Sequence, residues 1–376
     1  MKSRTATLIC DLQFGSTGKG LIAGYLAERD KPDTVITAWS ANAGHTYIDR
    51  AGRKYVHCML ANGIVSPNLK QVLIGPGSQL DLCKLKREIE ECKDILLDRG
   101  AVIYIHGSAC VISERHIQEE AGPMTKIGST KKGCGAALIE KIRRNPEGKA
   151  ITIGQFAEKW ENMWSETEAN KNVRCEDWIT PDIPCYIVDN AGWQQCLLEA
   201  EHIQIEGAQG YSLGLNSGFY PYVTSRECTP AQIVSDCAFP MQWVTKVVGT
   251  MRTYPIRVAN RYDAEGNMVG YSGPGYDDQK ETTFEELGQA TELTTVTRLP
   301  RRIFTFSQEQ TRQALMTVRP DEIFLNFVNY CDDQTLGFII NQIYGAAIDA
   351  GIPYSPLRYI GRGPAVQDVL SLVEDC

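Results

Sequence analysis

The sequence predicts an α/β protein with a mostly parallel central sheet that is flanked by helices. Short apolar runs at residues 6–12, 34–38 and 71–74 end in turn residues and alternate with helix-like segments at 20–29 and 80–99. Strands that alternate with helices form β-α-β units, so neighbouring strands are expected to run parallel. We therefore expect the functional residues to lie beyond the carboxyl ends of these strands.

The remaining elements extend the same pattern. Further strands are predicted at residues 102–106, 202–206, 243–251 and 322–328. The stretch 114–201 is instead polar, helix-like and interrupted by Gly and Pro, which favours an insertion over one side of the sheet. We expect residues 1–376 to form a single large α/β domain with a helix-rich insertion at about 114–201.

Charge and hydropathy exclude two classes of partner. The 376 residues include 38 Lys and Arg against 46 Asp and Glu, which gives a net charge of -8. This balance disfavours the broad basic surface of a DNA-binding protein, so we expect no nucleic-acid partner. No window holds 18 consecutive apolar residues, so we expect neither a transmembrane helix nor a membrane partner.

Cysteine usage indicates a reducing compartment. The thirteen cysteines include no C-x-x-C pair, which argues against a zinc ribbon and against a secreted disulfide framework. The first apolar stretch is only a few residues long and is predicted to be a strand rather than a signal peptide. The expected location is the cytoplasm, which would be that of the host cell if the protein is viral.

A glycine-rich loop is the first candidate for ligand binding. The first strand runs into D-L-Q-F-G-S-T-G-K-G at residues 11–20, where a helical pattern begins. Such a turn offers main-chain N–H groups and a helix dipole to phosphate, and Lys19 adds a positive charge. A standard P-loop would need glycine in place of Gln13 and a hydroxyl in place of Gly20. We predict a modified phosphate loop, with a structural glycine turn as the alternative.

The second strand is followed by W-S-A-N-A-G-H-T at residues 39–46. This short turn brings Asn42, His45 and Thr46 close together, and a histidine can act as a general acid near neutral pH. By itself, His45 would more often be a structural histidine.

Four later segments carry further polar groups. They are I-G-S-T-K-K-G-C-G at 127–135 with Arg143 and Arg144 beyond it, I-E-G-A-Q-G at 205–210, Y-P-Y-V-T-S at 220–225, and T-V-T-R-L-P-R-R at 295–302. The first could bind a second anion, although solvated charge is the commoner interpretation of such a run. The arginines of the last suit bidentate recognition of a carboxylate.

Taken in this order, the segments resemble the adenylosuccinate synthetase family. Its motifs are G-D-E-G-K-G-K, G-H-N-A-G-H-T, G-T-T-G-R-G-I-G, E-G-A-Q-G with Y-P-Y-V-T-S, and T-T-G-R-P-R-R, and the matches span residues 15–364. The resemblance implies an Mg²⁺-dependent ligase that joins L-aspartate to a purine 6-oxo nucleotide. In this reaction the γ-phosphate of a nucleoside triphosphate moves to O6, and the aspartate amine then displaces it.

The resemblance also implies roles for individual residues. The catalytic residues would be Ser16, Lys19, His45 and Gln209. The triphosphate would contact Gly15, Ser16, Thr17, Gly18, Lys19, Gly20, Gly44, His45, Thr46, Asn329, Gly363 and Pro364. The monophosphate substrate would contact Ser16, Asn42, Ser129, Thr130, Arg144, Gln209 and Thr224. Aspartate would contact Thr297, Arg298 and Arg301, and Mg²⁺ would contact Ser16 and Gly44. Arg144 would come from the partner subunit of a homodimer.

The glycine loop departs from the family motif at Ser16, where the family has its catalytic Asp. A hydroxyl does not act as a base near neutral pH. Either N1 of the substrate is more acidic, a water relays the proton, or activity is lost. Serine is also shorter than aspartate, which leaves room beside N1 for the 2-amino group of a guanine.

A second departure lies at residues 325–330, where L-N-F-V-N-Y replaces a family T-K-L-D motif whose Asp recognises the guanine of GTP. Asn329 can both donate and accept hydrogen bonds, which matches an adenine edge. We therefore predict ATP or dATP as the donor.

In both departures the sequence resembles a viral branch of the family. Enzymes of that branch join aspartate to dGMP, on the route to 2-aminoadenine in phage DNA. We predict a ligase that uses dGMP, L-aspartate and ATP or dATP. Two alternatives stay open. One is an adenylosuccinate synthetase that acts on IMP, and the other is a catalytically inactive nucleotide-binding protein.

Overall fold

A computed structural model describes residues 4–121, 126–146, 151–157, 173–174, 182–294, 299–353 and 355–373. The strands are β1 (Thr5–Asp11), β2 (Thr34–Thr37), β3 (His45–Ile48), β4 (Lys54–His57), β5 (Gln71–Ile74), β6 (Gln79–Leu80), β7 (Val102–His106), β8 (Cys110–Val111), β9 (Val173–Arg174), β10 (Cys185–Val188), β11 (His202–Glu206), β12 (Val244–Arg252), β13 (Ile256–Arg257), β14 (Arg261–Tyr262), β15 (Met268–Gly270), β16 (Glu281–Thr282), β17 (Arg302–Phe304), β18 (Glu322–Asn326), β19 (Leu357–Gly361) and β20 (Val369–Ser371). The α-helices include α1 (Lys19–Asp30), α2 (Leu82–Glu91), α3 (Lys93–Arg99), α4 (Glu114–Ala121), α5 (Cys134–Arg143), α6 (Asn190–Glu199), α7 (Pro230–Asp236), α8 (Gln308–Val318) and α9 (Asp333–Asp349).

The central sheet has eleven strands in the order β20-β19-β18-β12-β1-β11-β2-β5-β7-β10-β9. All neighbouring strands in it pair in parallel except the two edge pairs, β19 with β20 and β9 with β10. The prediction of a mostly parallel sheet is therefore confirmed. Strands β2 and β5 are buried along their whole length, as expected when both faces of a parallel sheet are covered.

Alternate residues of β1 build the two faces of the core. Leu8 and Cys10 join the apolar cluster that includes Leu315 of α8 and Ile343 of α9. Ile9, which points to the other face, packs with the apolar residues of α1. The period of two in a strand thus joins helices on opposite faces of the sheet to one central strand. Among the described residues, no helix is both long and apolar enough to cross a membrane.

One sequence expectation needs correction. The single helix expected at 80–99 is two helices, α2 and α3, preceded by strand β6, because the backbone at Cys92 leaves the helical region with φ -106 and ψ 8. The Asp81 side chain caps α2 by accepting a hydrogen bond from the Lys84 main chain, which fixes its start after β6.

The range of the expected insertion, about 114–201, contains one strand of the central sheet. Strand β10 lies within that range and pairs in parallel with β7 of the central sheet, and α6 follows it. Strand β10 has only four residues, C-Y-I-V, and so short an apolar run is easily missed in a polar stretch. The division into one domain with an insertion stays a prediction.

Helix α1 lies unusually close to strand β3, which carries His45. A Cβ placed on Gly24 would lie 2.1 Å from the ring of Tyr47, so only glycine fits there. One turn earlier, a Cβ on Gly20 would lie 2.8 Å from the main-chain oxygen of Thr46. These two glycines therefore set how closely the phosphate loop and the His45 segment approach each other.

We expect Gly24→Ala to destabilise the protein by about 1–3 kcal/mol, because the added methyl overlaps the Tyr47 ring. Gly337→Ala in α9 is the matched control, since nothing lies within 4 Å of a Cβ there. It should stabilise the protein by about 0.5–1 kcal/mol, because alanine is the better helix former. Urea unfolding measures both changes, and equal effects would contradict the close approach of α1 to β3.

Candidate active site

The Asp11 carboxylate organises the loop that follows β1. It is 1% exposed and accepts hydrogen bonds from the main chain of Gln13 at 2.8 Å and of Gly15 at 3.2 Å. The hydroxyl of Thr17 also donates to it. The loop is therefore wrapped around a buried negative charge, and the Thr17 hydroxyl is committed to that charge.

Lys19, the first residue of α1, completes this arrangement. Its Nζ lies 2.8 Å from Asp11 Oδ2 and donates to the main-chain carbonyl of Gln209 at 2.7 Å. The side chain is 3% exposed. An ammonium group has three donors, so one N–H of Lys19 stays available to a phosphate.

Three residues of the loop occupy the left-handed backbone region. Gly15 and Gly18 have φ values of +90 and +93, and Ser16 between them has φ +56 although it carries a side chain. The Ser16 side chain is exposed. This backbone turns the loop sharply at the start of α1, where main-chain N–H groups lack helical partners and can bind an anion.

His45 is held by a buried carboxylate. Its Nδ1 lies 2.8 Å from Oε1 of Glu206, which is 0% exposed and also accepts from the main chain and side chain of Asn62. The ring centres of Trp39 and His45 lie 4.1 Å apart with the planes tilted by 39°, and the Trp39 indole donates to the Glu206 main-chain carbonyl at 2.6 Å. Because an ionised carboxylate can only accept, this contact requires a proton on Nδ1 and leaves Nε2 for a ligand.

Burial governs the ionisation of His45. Loss of hydration lowers the pKa of the imidazole, and Lys19 lowers it further, whereas the hydrogen bond that His45 donates to Glu206 opposes the change. A phosphate bound at the loop would add negative charge beside the ring and favour the imidazolium form. An anion bound at the loop would therefore provide the site with a proton donor.

Gln209 connects this cluster to the second strand. It follows β11, has φ +58, and donates from Nε2 to Oδ1 of Asn42 at 3.2 Å. Its carbonyl is the acceptor for Lys19 described above. Four of the predicted residues, Lys19, Asn42, His45 and Gln209, thus lie at the carboxyl ends of β1, β2 and β11, which are neighbours in the sheet.

The segment with Ser129 and Thr130 packs on the β14–β15 hairpin. The main-chain carbonyl of Ser129 accepts from the Arg261 guanidinium at 2.5 Å, and the main-chain N–H of Tyr271 donates to the carbonyl of Lys126 at 3.1 Å. Helix α5 begins directly after this segment, and the Glu120 carboxylate accepts from three main-chain N–H groups at its start. That helix terminus is therefore already paired with a carboxylate of the protein. Thr224 is bonded through its main chain to Leu213.

Arg144 lies at the opposite end of α5. It has φ +51, is exposed, and donates to the main-chain carbonyl of Ile142 at 3.2 Å. At 1.5 Å per residue, the ten residues of α5 separate it by about 15 Å from the start of the helix. Ile139 and Ile142 on the same helix are 51% and 63% exposed.

The residues expected near the donor base lie after β18 and β19, which are neighbours in the sheet. Asn329 is exposed in a short 3₁₀ helix, Val328–Tyr330, and Phe327 before it has φ +60. Gly363 and Pro364 follow β19, and Pro364 is exposed. The structure therefore brings these two predicted segments to adjacent strand ends.

Of the expected aspartate contacts, Thr297 and Arg298 lie outside the described residues. Arg301 is described, and its main-chain N–H donates to the carbonyl of Glu292 at 2.9 Å. Burial lowers the pKa of Arg301, with Arg252 adding to this effect and Glu292 opposing it. Positive charge from two arginines is thus gathered beside one carboxylate at this point.

Sequence reasoning assigned no role to Asp11, Glu206, Arg252 or Glu292. Asp11 is the first residue of the motif at 11–20 and Glu206 lies within the motif at 205–210, so their position was a usable signal. Arg252 and Glu292 belong to no motif, and only the folded chain brings them to the site. Among the described residues, no group of three or more His, Cys, Asp or Glu is arranged to hold a metal ion.

A family model for adenylosuccinate synthetase matches residues 8–336. The chain belongs to the adenylosuccinate synthetase family. It is 57% identical over 375 residues to the N6-succino-2-amino-2'-deoxyadenylate synthase of Acinetobacter phage SH-Ab 15497, with 99% of this chain and 94% of that protein covered. It is 56% identical over 372 residues to the protein of the same name from Salmonella phage PMBT28, with 98% and 97% covered.

A solved structure of this family from cyanophage S-2L superimposes with a TM-score of 0.83. That protein, a succinoaminodeoxyadenylate synthetase bound to dGMP and dATP as an energy donor, is 38% identical, and the match covers 98% of this chain and 96% of that one. The likeness therefore extends over nearly the whole length of both chains.

The electrostatics of the His45 strand generate a pH prediction. His57 pairs with His45 across β3 and β4, and burial lowers its pKa to about 4. In the unfolded chain His57 takes up a proton below about pH 6.5, whereas in the folded chain its imidazole stays neutral down to about pH 4. His57 therefore contributes to a loss of stability as the pH falls through this window, by up to about 3 kcal/mol.

Urea unfolding of wild type and His57→Gln between pH 7 and pH 4 isolates this contribution. The free energy of unfolding should fall less steeply with decreasing pH in the variant, whatever its stability at pH 7. Parallel profiles for the two proteins would contradict the lowered pKa.

Proposed function

We propose that the protein joins L-aspartate to the 6-position of dGMP, with ATP or dATP hydrolysed through a 6-phosphoryl intermediate. The product would be N6-succino-2-amino-dAMP, a precursor of 2-aminoadenine in phage DNA, made in the cytoplasm of the host cell. The observation that carries the proposal is an exposed Ser16 at the head of a loop that keeps Lys19, His45 and Gln209 around it. The phage relatives named N6-succino-2-amino-2'-deoxyadenylate synthase support the proposal.

Ser16 favours a guanine substrate for a steric reason. Serine is shorter than the aspartate of the family motif, so a 2-amino group fits beside N1. Since a hydroxyl is no base near neutral pH, the N1 proton must pass to water or to another group. The Asp11 carboxylate is not that group, because Lys19 and the loop already occupy it.

Phosphoryl transfer depends mainly on positioning and charge stabilisation. Lys19 keeps one donor for the phosphates, and His45 presents Nε2 toward the same region while Glu206 fixes its orientation. Protonated His45 would stabilise negative charge on O6 and on the transferred phosphoryl oxygens. Gln209, held by Asn42, would contact the base.

The residues around the loop fit Mg²⁺. This ion prefers oxygen ligands and keeps waters and substrate phosphates in its shell, so few protein atoms are needed. The exposed hydroxyl of Ser16 and the partly exposed main chain of Gly44 provide such oxygens, whereas the Thr17 hydroxyl is committed to Asp11 and Thr250. When bound, Mg²⁺ would neutralise phosphate charge. Ser16 and Gly44 would hold it.

The donor and amino-acid pockets follow from the same reasoning. The exposed Asn329 beside the β19 end suits an adenine edge, because its amide both donates and accepts. Arg301, which with Arg252 places two positive charges beside the single Glu292 carboxylate, suits an aspartate carboxylate.

We also propose a homodimer in which Arg144 completes the monophosphate site of the partner. Its exposed position at the far end of α5 and the exposed Ile139 and Ile142 nearby support this assignment. Apolar side chains on an exposed helix face are typical of an interface between subunits.

Phosphate release tests the function. Purified protein with Mg²⁺, L-aspartate and ATP or dATP should release phosphate with dGMP faster than with GMP or IMP, and GTP should replace ATP poorly. Preference for IMP would identify an ordinary adenylosuccinate synthetase. No aspartate-dependent release with any nucleotide would indicate an inactive binding protein.

A mixing experiment tests the shared site. Arg144→Ala and Lys19→Ala should each lower the rate at least 100-fold as homodimers, because each removes a charge that contacts phosphate. Co-refolded mixtures should regain up to about a quarter of the wild-type rate, since half of the dimers are mixed and each has one intact site. Failure of every mixture to exceed the separate variants would show that Arg144 acts within its own subunit.

A further inference from the structure

The side chain of Arg252 joins three segments of the active site. It lies at the end of β12, is 0% exposed, and donates from Nη1 to the main-chain carbonyl of Ser16 at 3.2 Å. Its two terminal nitrogens also donate to Glu292, at 3.2 and 2.5 Å. The guanidinium carbon lies 3.8 Å from the centre of the Phe327 ring. One cation thus contacts the phosphate loop at residues 11–20, the Glu292 side chain, and residues 325–330, which are expected near the donor base and are called the donor-base segment below.

The main chain of Arg252 is fixed independently of its side chain. The Gln13 amide accepts from the Arg252 N–H at 2.9 Å and donates to the Arg252 carbonyl at 3.2 Å. Gln13 is itself fully buried. The Arg252 side chain therefore starts from a fixed main chain, so the direction of its guanidinium N–H groups is set before any ligand binds.

Glu292 extends this network toward the expected aspartate pocket. Its carboxylate accepts from the Tyr330 hydroxyl at 3.0 Å, so it contacts the donor-base segment as well as Arg252. Its main-chain carbonyl accepts from Arg301, the described residue of the expected aspartate site. The carboxylate is 23% exposed, which leaves the pair only weakly screened by water.

We propose that Arg252 and Glu292 are a positioning pair that makes the binding of the donor nucleotide and of aspartate depend on each other. A planar guanidinium holds a carboxylate and a carbonyl only in a narrow range of geometry. A donor base that orders Phe327 and Tyr330 therefore also orders Glu292 and, through its main chain, Arg301. This assignment of ligands rests on the proposed function.

Calorimetry measures the coupling directly. L-Aspartate is titrated into the full-length protein with Mg²⁺ and dGMP, with and without a non-hydrolysable ATP analogue. The ratio of the two dissociation constants is the coupling factor. We expect the analogue to tighten aspartate binding at least 5-fold in the wild type.

Arg252→Lys keeps the charge and loses the fork, and Glu292→Gln keeps the shape and loses the charge. Both should reduce the coupling factor to within 2-fold of one. Tyr330→Phe leaves the ion pair intact, removes one contact to Glu292, and should at least halve the factor. Thermal unfolding shows whether Arg252→Lys and Glu292→Gln are folded. If they are not, Tyr330→Phe serves as the test.

Arg302→Lys is the matched control. Arg302 forms a similar bidentate contact with Glu281, at 2.8 and 2.6 Å, but its other hydrogen bonds go to Ser272 and Gly273 rather than to the phosphate loop or the donor-base segment. Its coupling factor should equal that of the wild type even if its stability falls.

A coupling factor near one in the wild type would overturn the proposal. So would an unchanged factor in folded Arg252→Lys and Glu292→Gln, or an equal loss in Arg302→Lys. These outcomes differ from a failure of the proposed function, which would be no aspartate-dependent phosphate release with dGMP, GMP or IMP.

Discussion

The buried carboxylate of Asp11 is the interaction on which the active site depends. It ends β1, an inner strand of the sheet, and collects the loop N–H groups, the Thr17 hydroxyl and the Lys19 ammonium around one negative charge. Removing one partner from a buried ion pair leaves an uncompensated charge, which is strongly destabilising. The loop is therefore held in a phosphate-binding shape before any phosphate arrives, and less ordering remains for the ligand to bring about.

A second buried carboxylate repeats this arrangement on the neighbouring strand. Glu206 ends β11 and holds His45 through Nδ1, while it accepts two further hydrogen bonds from Asn62. Lys19 and His45 are thus each paired with an acid that lies deeper in the sheet. This division allows the outer atoms of both residues to meet a ligand while their orientation is set from behind.

The strands and the loop motifs could be predicted from the sequence because their signals are local. Residues 71–74, 102–106 and 202–206 are apolar runs between turn signals, and each is a strand with those bounds. The break at Cys92 and the strand β10 were missed because the tertiary contacts that decide them carry no local pattern. Arg252 and Glu292 were missed for a related reason, since they lie forty residues apart and only the pairing of β12 with β1 and β18 aligns them with the loop.

Three residues with side chains, Ser16, Gln209 and Phe327, have backbone φ values of +56, +58 and +60 at the strand ends. Each such residue costs roughly 1–2 kcal/mol relative to ordinary backbone. Glycine would relieve that cost, but it would also remove the hydroxyl, the amide or the ring that faces the site. Selection for thermal stability and selection for turnover therefore act in opposite directions at these positions, and a more heat-resistant variant with glycine there is expected to be a poorer catalyst.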